Sequence, residues 1–154
     1  MIDKGSNMNR KISFRGYNLK YKRWLYGYYL VNRGKHYIVQ DEVVGPFSEP
    51  SDFEVDPESV GQYAGDYEGE PIFEGDELMV ESTRDKYMHY YGFVEYDIHD
   101  CRFVVKLKVH CGLNKVPVTG YEQICKPFVG SNYTFYYKYK VIGNKYEAKL
   151  NKNE

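Results

Sequence analysis

Alternating hydrophobic and polar positions dominate this chain and predict β-strands rather than helices. In Cys101–His110 every second residue from Phe103 to Val109 is apolar, and most of the intervening residues are charged. This two-residue period is that of a strand buried on one face. A second run, Arg23–Val31, is apolar on both faces. We expect that run to be a central or bent strand.

Further runs of this kind, joined by short turns, predict a series of hairpins. The Asn32-Arg33-Gly34-Lys35 segment and Gly65–Gly69 have the composition of turns. Because almost no segment has a helical period, the pattern predicts an all-β protein. The predicted strands are Ile12–Tyr17, Arg23–Val31, His36–Gln40, Val60–Ala64, Glu77–Ser82, Tyr87–Asp97, Cys101–His110 and Tyr133–Ile142.

The length of the chain predicts one domain over residues 1–150, since 154 residues can bury a core without disulfides or metals. Proline and glycine mark two long connections, 41–59 and 111–132. Within the first, Asp56 followed by Pro57 predicts a single helical turn. The ends, 1–10 and 148–154, are expected to be frayed.

The composition is that of a globular protein from a reducing compartment. Hydrophobic residues make up 42% and charged residues 28% of the chain, and no apolar run approaches the ~18 residues of a membrane span. The N-terminus lacks the apolar region of a secretory signal. Three cysteines are too few for a disulfide scaffold. We therefore expect a cytoplasmic protein without a membrane partner.

A net charge of −1 conceals a strong segregation of charge along the chain. Residues 1–40 contain nine Lys or Arg and one acidic residue; residues 41–100 contain 18 acidic and two basic residues; residues 101–154 contain ten basic and three acidic residues. Two interpretations remain open. The basic ends pair with the acidic middle, or the protein has two surfaces of opposite charge.

Motifs for catalysis are missing from the sequence, which has no phosphate loop, nucleophile elbow or dinucleotide fingerprint. The carboxylates of Glu74, Asp76 and Glu77 lie in a segment whose composition is that of an ordinary charged turn. Zinc ligation would draw on dispersed residues without zinc-site spacing, namely His99, Cys101, His110, Cys111 and Cys125. We therefore expect no enzymatic activity, no cofactor and no metal.

Several short motifs, in order along the chain, resemble the YopX family of bacteriophage and prophage proteins. The similarity extends over nearly the whole chain, and the ordered set is more specific than any one motif. The matching residues include Phe14, Arg15 and Gly16; Gly61, Gln62 and Tyr63; Glu74, Gly75 and Asp76; and Gly143 with Asn144.

The resemblance implies a phage origin, no known enzymatic activity, and a small twisted, partly open barrel or pseudobarrel built from hairpins, with little helix. The physical roles expected for the motif residues are structural, because Gly61 gives the backbone freedom and Asp76 can bond its own turn. One departure concerns the turn inside the central motif. The family usually has a longer, Lys-rich turn there, whereas this chain has Asp66-Tyr67-Glu68-Gly69-Glu70.

Two binding functions remain compatible with the sequence. The 18 tyrosines favour a protein-interaction or self-associating module, since tyrosine is enriched at interfaces and exposed strand edges can pair with other chains. The alternative is an accessory protein that binds nucleic acid with lysines on strand faces and a stacking tyrosine. The candidate residues for that surface are Lys106, Lys108, Tyr136, Lys138 and Lys140.

Overall fold

The computed structural model describes residues 11–40, 49–83, 89–99, 101–111, 117–118, 124–125 and 137–152. It confirms the all-β prediction: antiparallel strands form two sheets that stay open over the described residues. The strands are β1 (Phe14–Asn18), β2 (Arg23–Asn32), β3 (Lys35–Val39), β4 (Glu54–Val55), β5 (Gly61–Tyr67), β6 (Glu70–Phe73), β7 (Asp76–Ser82), β8 (His89–Asp97), β9 (Arg102–Cys111), β10 (Pro117–Val118), β11 (Ile124–Cys125) and β12 (Tyr137–Asn144).

The first sheet has the strand order β4-β3-β2-β1-β5-β6, and the second has the order β10-β9-β8-β7-β12, with β11 also paired to β9. The contacts divide the chain into two compact units, Met1–Tyr63 and Ala64–Glu154, which are described separately. The boundary falls inside β5. The predicted single domain over 1–150 stays a prediction.

The first unit is an antiparallel meander with a small core on one face. Leu25, Ile38 and Val55 are its fully buried apolar side chains. Gly16 of β1 lies directly against this core, because a Cβ atom there would come within 2.8 Å of Val55 Cγ2. A glycine is therefore needed at this point for β1 to approach the core.

A buried amide joins the β1–β2 turn to the acidic connection that follows β3. Asn18 is fully buried, and its Nδ2 donates to the carbonyl oxygens of Asp52 at 3.1 Å and Glu54 at 2.9 Å. Its Oδ1 accepts a hydrogen bond from the Tyr21 amide at 2.8 Å. These polar contacts hold the connection together with the apolar packing of Val55 in the core.

The described part of the connection 41–59 contains more structure than the sequence indicates. Strand β4 was not predicted, because two residues carry no periodicity and pair only once β3 is in place. Short 3₁₀ turns span Pro50–Asp52 and Pro57–Ser59. The second confirms the predicted helical turn, with Asp56 accepting from the Glu58 amide.

The second unit has a larger core between its hairpins. Six buried apolar side chains form it, and Tyr67 and Tyr139 pack against it with their ring centroids 5.2 Å apart. Strands β7, β8 and β9 supply five of these six side chains. Phe103 and Val105 of β9 are buried as the alternation predicted, but Val104, which the same pattern placed on the opposite face, is buried as well. The buried core residues are Ile72, Leu78, Val80, Val94, Phe103 and Val105.

One sequence-based boundary in the second unit was wrong. Gly65–Gly69 is not all turn: β5 continues to Tyr67, and only Glu68 and Gly69 turn, with φ values of 51° and 85°. Two successive positive φ values permit a two-residue hairpin, which lets the flanking residues pair.

The sequence also did not predict helix α1, which spans Lys145–Leu150. The expected fraying of 148–154 stays a prediction. Asn144 caps this helix by accepting from the Glu147 amide at 2.8 Å. Tyr146, which is buried, anchors the helix. A helix of six residues spans fewer than two turns, which is too short for a helical period to be visible in the sequence.

Candidate binding surfaces

The central family motif forms a structural junction in the second unit. Asp76 is buried, and its Oδ2 accepts a hydrogen bond from the Phe73 amide at 2.8 Å, as expected for a residue that bonds its own turn. Gly75 donates to the Val94 carbonyl and accepts from the Lys145 amide, both at 2.8 Å. Asn144 lies opposite Asp76 in the β7–β12 pairing. The motif residues Glu74, Gly75, Asp76, Gly143 and Asn144 thus lie at one junction.

The motifs at the start of the chain also meet in space. Phe14 pairs with Gln62 and Arg15 with Gly61, where β1 meets β5. The Arg15 guanidinium is buried and lies 4.7 Å from the centre of the Trp24 ring. Gly16 faces the core, and Tyr63 has the Lys11 ammonium 4.7 Å from its ring centre. These contacts hold strands together, so they support a structural role for the motif.

An exposed row of large side chains runs along β2 on the face opposite the first unit's core. Tyr26, Tyr28 and Leu30 are exposed by 46%, 55% and 52%, and we call these three residues the β2 stripe. Sequence reasoning missed the stripe because a strand that is apolar on both faces does not reveal which of them packs against the core.

Neighbouring strands extend the apolar character of this face. In the strand pairing, Val39 lies opposite Tyr28 and Tyr37 lies opposite Leu30. In the register, β1 pairs with residues 23–27 of β2 and β3 pairs with residues 28–32, so each half of β2 is hydrogen-bonded along one edge. The exposed side chains of the β2 stripe form the apolar surface that a partner can contact.

Exposed cations stand at both ends of β2. Lys22 precedes the strand and Arg33 follows it; both have positive φ, 51° and 50°, and both are exposed. Positions 11–40 carry seven basic and no acidic residues. The β2 stripe is thus an apolar strip between two basic turns.

Two other cations of the first unit are paired with the acidic connection. Lys20 Nζ lies 2.9 Å from Asp52 Oδ1, which also accepts from the Tyr21 hydroxyl at 2.7 Å. The Tyr21 hydroxyl and the Lys20 ammonium lower the pKa of Asp52 to about 2. Lys35 Nζ lies 2.8 Å from Glu54 Oε2, and this contact raises the pKa of Lys35. Pairing of the basic N-terminal block with the acidic block therefore occurs at these two positions.

The lysines predicted to bind nucleic acid are not contiguous. Lys106 is on β9, whereas Lys138 and Lys140 are on β12, and β8 and β7 lie between them. At the usual strand spacing this separates the two groups by about 14 Å. In the register, Lys138 lies opposite Glu81 and Lys140 opposite Met79. The basic face is therefore interrupted by an acidic strand. Tyr136 and the side chain of Lys108 are outside the described part of the chain.

A comparison of the whole chain with protein families gives a match. The model of the YopX protein family matches residues 13–150, which is most of the chain. The chain belongs to the YopX protein family. No curated protein and no solved structure is significantly similar to it.

In this YopX protein the turn inside the central motif is short and acidic, with Glu68 and Gly69 as its two turning residues. Among the described residues, no three His, Cys, Asp or Glu side chains are grouped in a way that could hold a metal. Within the same residues, no helix has the length and apolarity needed to cross a membrane.

Proposed function

We propose that this YopX protein is a phage- or prophage-encoded binding module that acts in the cytoplasm of a bacterial host without catalysis of its own. It binds another protein chain through the β2 stripe. The observation that carries this proposal is the exposure of Tyr26, Tyr28 and Leu30 in one row on a central strand.

Several physical arguments support a protein partner. Large apolar patches are rare on the surfaces of monomeric proteins and mark interaction sites. Tyrosine suits such a site because its ring contributes apolar area while its hydroxyl can remain hydrated. Because these side chains are already about half buried, covering the rest of each contributes about 1 kcal/mol before the costs of association. Binding through the face also leaves the paired backbone of β2 undisturbed.

Nucleic-acid binding through Lys106, Lys108, Tyr136, Lys138 and Lys140 stays a prediction and ranks second. Single-stranded nucleic acid is bound in a continuous basic groove with stacking aromatics. The two described lysine groups are separated by β7, which carries Glu77 and Glu81. That arrangement favours neutralisation within the sheet over contact with phosphates.

Site-specific photo-crosslinking in bacterial cells tests the proposal. A benzophenone amino acid replaces Tyr28 in one variant and Ala148, an exposed residue of α1, in the control. We expect a discrete protein adduct from position 28 that the control does not give. The adduct should disappear when Tyr26→Ser and Leu30→Ser are added. A position-28 variant that gives no adduct, or one indistinguishable from the control, contradicts the proposal.

A further inference from the structure

The charges around the β2 stripe restrict which protein can cover it. The strand and its two turns, residues 20–35, carry Lys20, Lys22, Arg23, Arg33 and Lys35 and no carboxylate. Asp52 and Glu54 engage Lys20 and Lys35. Lys22 and Arg33 remain exposed at opposite ends of the strand. A partner that covers the stripe therefore meets a cation at each end.

We propose that the partner of the β2 stripe is a different protein, one that presents an apolar strip between two groups of carboxylates, and not a second copy of this chain. This inference rests on the proposed function, since it concerns the occupant of the same site. The complementary charges at the rim set the choice of partner and its rate of association, while the apolar centre contributes most of the affinity.

Symmetry argues against a second copy. In a two-fold dimer the same patch meets itself, and in the aligned mode of sheet packing the strands of the two copies run roughly parallel or antiparallel. If the two β2 strands run antiparallel, Lys22 of each copy approaches Arg33 of the other. If they run parallel, each cation approaches its own equivalent. Both arrangements place like charges together at both ends of the strip.

The dimensions of the strip suit an interface of ordinary size. Eleven residue steps separate Lys22 from Arg33, which corresponds to about 35 Å along an extended strand. A standard protein interface covers about 800 Å² on each partner, or roughly 30 Å across. One partner surface can therefore contact the stripe and reach both basic turns.

A charge-reversed copy of the protein supplies a defined probe for this chemistry. The double variant Lys22→Glu with Arg33→Glu keeps the β2 stripe and replaces its basic ends with carboxylates. Both positions are exposed turns, and circular dichroism checks that the variant folds. We expect the wild type alone and the variant alone to sediment as monomers. An equimolar mixture should form a heterodimer at least about tenfold tighter than either homodimer at low ionic strength, and about 0.5 M salt should weaken it.

The matched control reverses two exposed lysines of the second unit, Lys138→Glu and Lys140→Glu, which changes the net charge equally. Its mixture with the wild type should remain monomeric. Introducing Tyr28→Ser into both members of the charge-reversed pair should abolish the heterodimer.

Several outcomes overturn the inference. One is a wild type that dimerises as tightly as the mixture, which would identify a second copy as the occupant and leave the proposed function standing. Another is a mixture that does not associate, or whose heterodimer forms equally well when both members carry Tyr28→Ser. A third is a labelled oligothymidylate that binds the wild type and is lost in Tyr28→Ser, which would identify a nucleic acid instead. Crosslinking at position 28 decides the proposed function separately.

Discussion

The two units of this protein divide their apolar residues in opposite ways. Among the described residues, the core cluster of the second unit contains six buried apolar side chains and that of the first unit contains three. Of the ten strongly exposed large hydrophobic residues in the described chain, seven lie between Ile12 and Val31 of the first unit. Over the described residues, the first unit therefore exposes more large apolar side chains than the second and buries fewer of them.

This difference indicates that the second unit uses its apolar residues for stability, whereas the first unit has apolar residues left for binding. A unit with a larger core can carry a charged outer face, as the opposition of Lys138 and Glu81 in the second sheet shows. The first unit adds polar contacts to its smaller core, including the buried amide of Asn18 and the hydrogen bond from the Tyr17 amide to Ser59 Oγ at 2.6 Å. Its exposed face is then available for a partner.

The largest effect is expected in the core of the second unit. Leu78 is fully buried among Val80, Val94 and Val105. The Leu78→Ala variant should lose about 3 kcal/mol of unfolding free energy in urea denaturation, because it removes apolar contacts and leaves a cavity. The exposed Ile142 of the same unit is the control, and Ile142→Ala should change stability by less than about 0.5 kcal/mol. Equal losses in the two variants would disprove the assignment of the core.

The second-largest loss of stability is expected when a buried polar residue of the first unit is replaced. The Asn18→Ala variant leaves the carbonyl groups of Asp52 and Glu54 without the amide that now binds them. We expect a loss of about 2 kcal/mol, since buried polar groups that lose a partner bear the cost of desolvation. The neighbouring Leu19→Ala, at an exposed site, should cost less than about 0.5 kcal/mol. An Asn18→Ala variant as stable as the wild type would show that the first unit does not depend on polar contacts.

The local features of this fold were predictable from sequence, and its exposed face was not. Turn chemistry identified Asp76, and alternation identified Phe103 and Val105 of β9 as buried, because both depend on neighbours in the chain. Alternation failed at Val104, which is buried on the other face of the strand. The two faces of β2 look alike in the sequence. Which face packs is decided by Ile38 and Val55, which arrive from β3 and β4. The strand order that separates Lys106 from Lys138 likewise depends on long-range pairing.

A small effect on stability is expected at the β2 stripe itself. Because Tyr28 is more than half exposed, Tyr28→Ser should change the unfolding free energy by less than about 0.5 kcal/mol. A core substitution such as Ile38→Ala, at a fully buried site, should instead cost about 2–4 kcal/mol. Thermal denaturation of both variants makes the comparison. A strongly destabilised Tyr28→Ser variant would show that the β2 stripe stabilises the fold, and it would contradict the proposal that the stripe is a binding surface.

The smallest effect concerns the ion pair between Lys20 and Asp52. The pKa of Asp52 is about 2 in the folded protein and about 3.9 in an unfolded chain. A lowered folded pKa stabilises the protein above the unfolded value, and this contribution is lost as the pH falls from about 5 towards 2. The stability difference between the wild type and Asp52→Asn should therefore shrink over that range in denaturation curves.

Glu70→Gln, an exposed carboxylate in the second unit, is the control for the pH series. Because Asp52 is exposed to solvent, high salt should also reduce the difference between the wild type and Asp52→Asn. A difference that stays constant from neutral pH to about pH 2 would show that this carboxylate is not held by its neighbours. In that case Lys20 would join Lys22 as an available cation, and the basic end of the β2 stripe would be stronger than the ion pair now implies.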